Sequence, residues 1–233
     1  MNTDTPPAGD ALAVDHLVVA AATLQQGVQW CAATLGVTPG PGGEHTLMGT
    51  HNRLLSVAAP GFALAYLEII AINPAAPGPT AGRQRWFGLD DPAVQARLAK
   101  QGPQLLHWVA RSMSLAQHQL ALQQLGLQPG APVAASRPTP AGLLRWQMLL
   151  RRDGSTLFGG AWPTLIEWHG LHPAQAMPPS GIMLLGLQLR GGLPAAAQAL
   201  LQMPGLEAVD GAGPALTVTL QTPLGTRQLC SPP

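Results

Sequence analysis

Cysteine is nearly missing from this chain, with Cys31 and Cys230 the only two in 233 residues. So few thiols exclude a disulfide scaffold or a cysteine-rich zinc site and point to a reduced, cytoplasmic protein. Lysine is scarcer still: Lys100 is alone, charged residues make up 10% of the chain, and the formal net charge is +1. No broad basic field exists to attract nucleic acid or anionic lipid, so neither is expected as a partner. No run approaches the roughly 20 apolar residues of a membrane-crossing helix. The opening MNTDTPPAGDALAV has no basic stretch leading into an apolar one, so no secretory leader is expected there. Gly40, Gly42 and Gly43 follow a helical pattern rather than a strand, the wrong context for a nucleotide-binding loop.

What the chain does have is apolar bulk. Hydrophobic residues reach 46%, which excludes a disordered chain and allows a sizeable core in one large domain or two modules. A repeat organises it. Residues 12–22, LAVDHLVVAAA, read as a strand with one histidine in an apolar run. Thr23 then stands as an N-cap, Leu24, Val28, Cys31 and Leu35 recur at helical spacing, and Gly36 closes the helix. Cys31 falls on the apolar face, as a small buried hydrophobe. A Pro/Gly-rich loop and strands at about 47–58 and 62–72 follow.

From Gln104 the pattern starts again. LLHWVAR is a strand with a histidine in the same place, Ser114 caps a helix through Leu125, and Gly126 closes it. LGL at 125–127 echoes LGV at 35–37. A second Pro/Gly-rich loop leads to strands near 143–151 and 165–169. The segments are therefore 12–73 and 104–172 as two βαβββ modules, with a linker at 74–103. Within that linker Asp91 and Pro92 start a short helix, and Arg85-Trp86-Phe87 form a plug on the main body. Residues 181–233 read as a weaker βαββ unit that covers a sheet or builds a dimer contact, so a homodimer is open.

Side chains alternate along a strand. Val14, His16, Val18 and Ala20 share one face in this reading, with Asp15 on the other; Tyr66 and Glu68 share a face. His107 falls with Leu105 and Val109, and Glu167 with Leu165 and His169. Polar groups in apolar strands need partners. Each module thus offers one histidine on its first strand and one glutamate on its last. If the modules pack about a pseudo-twofold, His16, Glu68, His107 and Glu167 converge, and two nitrogens with two oxygens suit Zn, Ni, Co, Mn or Fe.

DHLVVAA, GTHN at 49–52, YLEIIAI and RWFGLD resemble the glyoxalase-like group of the vicinal-oxygen-chelate superfamily over roughly residues 12–170. The resemblance implies an α+β fold in which paired βαβββ modules form a curved sheet cup around a divalent metal. By position the implied ligands are His16, Glu68, His107 and Glu167. His51 and Asn52 are then candidate substrate contacts on a middle strand of the cup, with Arg145 their counterpart in the second module. Tyr66 and His169 join them because each shares a face with a glutamate. His45, His118 and His172 have weaker claims.

Three activities follow as alternatives. The first is a metal-dependent isomerase or lyase acting through an enediolate on a small molecule with adjacent oxygens, with Glu167 or Glu68 as base. On that reading Glu167→Gln abolishes turnover and spares the fold. The second is an Fe(II) extradiol-type dioxygenase using His16, His107 and Glu167. The third is a non-catalytic binding protein, its cup holding a small-molecule ligand.

Overall fold

The computed structural model describes residues 11–80 and 82–232. Residues 1–10, on which the reading of the N-terminal segment mainly rests, lie outside the described residues. The first module runs β1 (Ala13–Ala20), α1 (Leu24–Leu35), a two-residue β2 (Glu44–His45), β3 (Thr50–Ser56) and β4 (Tyr66–Ile72). After α2 (Pro92–Gln101) come β5 (Gln104–Arg111), α3 (Leu115–Gln124), β6 (Ala131–Thr139), β7 (Gly142–Leu150) and β8 (Thr164–Trp168). The C-terminal unit comprises β9 (Met183–Leu189), α4 (Ala195–Leu200), β10 (Leu206–Ala208), β11 (Leu216–Thr222) and β12 (Gly225–Cys230).

The helix boundaries follow from local chemistry. Thr23 Oγ1 accepts from the Gln26 amide at 3.1 Å, and Gly36 ends α1 at φ 75°. Asp91 accepts from the Ala93 amide at 2.7 Å, with Pro92 in the first turn where its missing N–H is harmless.

One eight-stranded curved sheet carries both modules in the order β2-β3-β4-β1-β5-β8-β7-β6. The order is symmetric about the antiparallel β1/β5 seam, and within each half the first and last strands pair in parallel. His16 lies across from Val109 and Val18 across from His107, the reciprocal pairing of a pseudo-twofold. Both seam strands break register just before their histidine. Asp15 on β1 and Leu106 on β5 have no opposite partner, which marks a bulge on each. Val14 and Leu105 therefore pack in the outer core while Val18 and Val109 pack in the inner one.

β6 departs from the sequence expectation of a loop. Ala131–Thr139 pairs with β7 along its whole length as the edge strand. An edge strand tolerates Pro132 and Pro138 because half of its amides need no ladder partner.

The C-terminal unit folds as a four-stranded sheet, β10-β9-β11-β12. Leu184, Leu187, Val218 and Leu220 join Cys31, Leu35, Leu115, Trp108 and Trp162 in one continuous core. That unit therefore roofs the outer, helix-bearing face of the main sheet. The inner face has its own core, in which Trp86 and Phe87 of the linker sit among Val18, Ile70, Val109 and Ile166.

Candidate functional site in the inner cup

Asp15 starts the site. The bulge lets it reach inward, where it is fully buried. Its carboxylate accepts from His16 Nδ1 at 2.7 Å, His172 Nε2 at 3.0 Å and Trp168 Nε1 at 3.0 Å, with the Arg111 guanidinium 3.8 Å away. Burial alone would raise its pKa, but the bonds from His16 and His172 outweigh it and hold the carboxyl well below its ordinary range. The bond fixes His16 with a proton on Nδ1 and turns Nε2 into the cavity, 3.7 Å from Glu68 Oε2. That separation is too long for a direct hydrogen bond. Tyr66 stacks on the imidazole at 4.7 Å. Burial, then the Asp15 and Glu68 charges, push its hydroxyl well above 10, so it stays protonated.

Asn52 satisfies all its hydrogen-bonding capacity while tying the next residues together. Its amide nitrogen donates to Glu68 Oε1 at 2.6 Å and to His45 Nε2 at 3.2 Å. Its oxygen accepts from the Gly43 amide at 2.8 Å and from Arg137 Nη1 at 3.2 Å. His45 must then carry its proton on Nδ1, which faces Thr50 Oγ1 at 3.0 Å. Burial, helped by the Arg137 charge, brings the His45 pKa down to about 3, so it is neutral and makes no ion pair with Glu68. Gly43 matters as a glycine, since a Cβ there would collide with the Arg137 guanidinium.

The second half is built differently. His107 is fully buried, and its Nε2 accepts from the Thr164 amide at 3.1 Å with Thr164 Oγ1 at 3.0 Å. Register explains the pairing: Glu68 stands across from Val18, and the residue across from Val109 is Thr164. Glu167, three residues further on, turns to the helix side. There Oε2 accepts from the Leu115 amide at 2.7 Å and serves as the N-terminal cap of α3, which Ser114's side chain does not supply.

Of the four expected metal ligands, His16 and Glu68 thus share the cavity, whereas His107 turns Nε2 to Thr164 and Glu167 turns to the N-terminus of α3. Among the described residues no three His, Cys, Asp or Glu side chains are grouped to hold a metal ion. The donor set does not fit a four-ligand centre, and His16, His107 and Glu167 do not assemble as a facial triad. The expected convergence fails because it equated Glu167 with Glu68, whereas pairing makes Thr164 the counterpart.

The expected substrate contacts divide as well. Asn52 and Tyr66 line the cavity. His51 lies on the opposite face of β3, beside Glu44 and Arg53. Arg145 is exposed, between the inward-facing Leu144 and Trp146. His169 lies 3.9 Å from Glu167 outside the cup. Sequence reasoning missed Asp15, Arg137 and the aromatic wall, and it underrated His45 and His172. Only the aromatic wall left a readable trace: Trp146 and Trp168 alternate with polar residues on their strands.

The cavity is a small space, open to solvent at its mouth. Its polar lining includes His16, His45, Asn52, Tyr66, Glu68 and Arg137, and its apolar lining includes Trp86, Trp146 and Trp168. Among the described residues no Ser, Thr or Cys lines it. Cys31 is buried in the outer core, where desolvation pushes its thiol up to about 12. The arrangement offers an imidazole and a carboxylate suited to moving protons.

A family model described as a glyoxalase-like domain matches residues 14–204. Comparison with curated proteins gives no match. Among solved structures, a hypothetical protein from Staphylococcus aureus is similar with a TM-score of 0.58 at 12% identity, over 95% of this chain and 86% of that one. A methylmalonyl-CoA epimerase variant of Streptomyces coelicolor, in complex with 2-nitronate-propionyl-CoA, matches at 18% identity and TM-score 0.42, over 70% of this chain and 99% of that one. The epimerase from Mycobacterium tuberculosis matches at 16% and 0.39, over 67% and 86%. At these identities the likeness concerns the fold alone. No helix among the described residues is long and apolar enough to cross a membrane.

Proposed function

The chain belongs to the glyoxalase-like domain family, and within it we propose an isomerase or lyase that enolises a small molecule carrying adjacent oxygens. The observation that carries this reading is the Asp15–His16–Glu68 line: Nδ1 is held at 2.7 Å by a buried carboxylate, while Nε2 is free and faces Glu68 at 3.7 Å. In this reading His16 Nε2 removes the proton from the carbon beside the carbonyl and becomes an imidazolium, stabilised by Asp15 and Glu68. The electron pair left on carbon moves into the carbonyl and gives an enediolate. Arg137 and the Tyr66 hydroxyl are the cavity's donors for that developing oxyanion. Returning the proton to the neighbouring carbon, with the hydroxyl proton passing from one oxygen to the other, completes an isomerisation, and expelling a β-substituent completes a lyase reaction. No step is assigned to a divalent metal, because only His16 and Glu68 of its expected ligands reach the cavity.

The test is exchange in D₂O followed by proton NMR, using 2-oxoaldehydes and 2-hydroxyketones. The wild type should wash the α-proton out of at least one of them, and His16→Gln should not. Exchange that persists in His16→Gln, or its absence throughout the panel, would overturn the assignment.

A second reading, non-catalytic binding of a small molecule, is favoured by the wall of Trp86, Trp146 and Trp168. It predicts ligands that quench tryptophan fluorescence without any α-proton exchange.

A further inference from the structure

After β8 the chain turns at Gly170, φ 91°, into a strap whose Pro173 lines the cup and whose Ala174 and Met177 pack with Leu54 and Tyr66. His172 stands in that strap, buried, with both ring nitrogens engaged. Nδ1 accepts from the Ala174 amide at 3.1 Å, so the ring proton sits on Nε2 and is donated to Asp15 Oδ2 at 3.0 Å. The backbone of the same residue donates to Gln175 Oε1 at 3.1 Å and completes a capping box on the short turn Pro173–Ala176. The imidazole is thus fixed at both ends, one in the strap and the other on the carboxylate. A strap that only closed the cup would bury an apolar side chain here at lower cost.

That carboxylate is the one that orients His16. Oδ1 takes the His16 Nδ1 proton at 2.7 Å, and Oδ2 is held by His172 Nε2 and Trp168 Nε1, each at 3.0 Å. The terminal torsion of an aspartate is soft, so a carboxylate gripped at one oxygen still turns, and donors on the second oxygen fix its plane. Arg111, 3.8 Å from Oδ2, is too far to donate and leaves that task to the other two. Trp168 belongs to the β8 ladder, opposite Trp146, whereas His172 lies outside the sheet. The strap reaches His16 by a second route as well. Tyr66 stacks on the His16 ring at 4.7 Å, while His172 meets Tyr66 edge-on at 6.0 Å and Ala174 packs beside it.

We propose that His172 is a positioning residue: by donating to Asp15 Oδ2 it holds the carboxylate, and through it the direction in which His16 Nε2 faces the cup. Its catalytic meaning rests on the reading of His16 as the base, whereas its test can be read without turnover. In protein labelled with ¹⁵N-histidine, the His16 Nδ1–H, sheltered by Asp15, gives a downfield proton signal assigned by its absence in His16→Gln. His172→Phe keeps the ring bulk against Trp168 and Tyr66 and loses the donor, so the His16 signal should broaden into exchange with water. His172→Gln, whose amide nitrogen can take the place of Nε2, should restore it. Washout of the α-proton should follow the same order. Its kcat should fall roughly tenfold or more in His172→Phe, with KM little changed, and recover in His172→Gln. A His16 signal unchanged in His172→Phe, or lost equally in His172→Gln while circular dichroism stays as in the wild type, would overturn the positioning role. A signal that behaves as expected in protein that washes out no α-proton would uphold that role and overturn instead the assignment of His16 as the base.

Discussion

On one side of the β1/β5 seam, Glu68 stands across from Val18 and turns a carboxylate toward His16; on the other, Thr164 stands across from Val109 and its hydroxyl closes on His107. The strands, bulges and histidines are the same. One difference in side chain separates an imidazole with a free Nε2 in an open cavity from one whose Nε2 is saturated behind a plug. The neighbours reinforce the split. Asn52 faces inward from β3 beside Glu68, whereas Met148 and Ile166 face inward from the second half. The two halves therefore share a scaffold and differ in what they turn inward, titratable side chains in the first and Trp146, Met148 and Ile166 in the second.

The sharpest way to break this comparison is to remove the residue that faces the histidine on each side. Glu68→Gln should lower turnover by about 100-fold or more, whereas Thr164→Val should leave the rate near wild type and lower the melting temperature. Equal rate losses in both would erase the functional asymmetry.

Acid comes next and strikes both halves. His45 and His107 have folded pKa values near 3 against an ordinary 6.5, so between those limits the unfolded chain binds protons that the folded chain refuses. Stability should then fall with falling pH from about 6.5, by up to about 1.4 kcal/mol per pH unit for each group. Asp15, whose folded pKa is depressed, adds a loss only below its unfolded value of 3.8. Urea titrations across pH should show the decline, shallower in His107→Gln. A flat profile would mean that the imidazoles are not held neutral.

Arg137 tests whether the second half lends charge to the first. Arg137→Met should lower kcat at least about tenfold, roughly 1.4 kcal/mol, with a smaller change in KM. A pure KM rise would assign it to substrate holding rather than to the oxyanion.

The smallest effect belongs to Glu167. As the cap of α3, Glu167→Gln keeps an acceptor and loses a charge near the helix N-terminus, so it should cost about 0.5 kcal/mol of stability and no activity. The sequence expectation was the reverse, so lost turnover would restore Glu167 as a base.

Much of the fold was legible because its signals are local. The two histidine-bearing apolar runs, the Thr23 and Asp91 caps and the closing Gly36 depend on neighbours a few residues away. Alternation likewise placed Tyr66 and Glu68 on one face of their strand. Asp15 was misplaced because an unpaired residue shifts the alternation, and only the partner strand reveals the bulge. Arg137 was overlooked because Pro132 and Pro138 read as loop residues until β6 is seen at a sheet edge. Glu167 was equated with Glu68 because the connection before β8 is longer than the one before β4, which hides the true pairing from any count along the chain.

By itself the sequence determined a repeated βαβββ unit and a first half rich in ionisable groups, since periodicity and capping act over one or two turns. Tertiary structure alone decided which carboxylate meets which histidine, that Phe87 packs 5.3 Å from His107, and that Arg137 arrives from the opposite half. Cross-strand register is a property of two segments at once, and neither segment carries it alone.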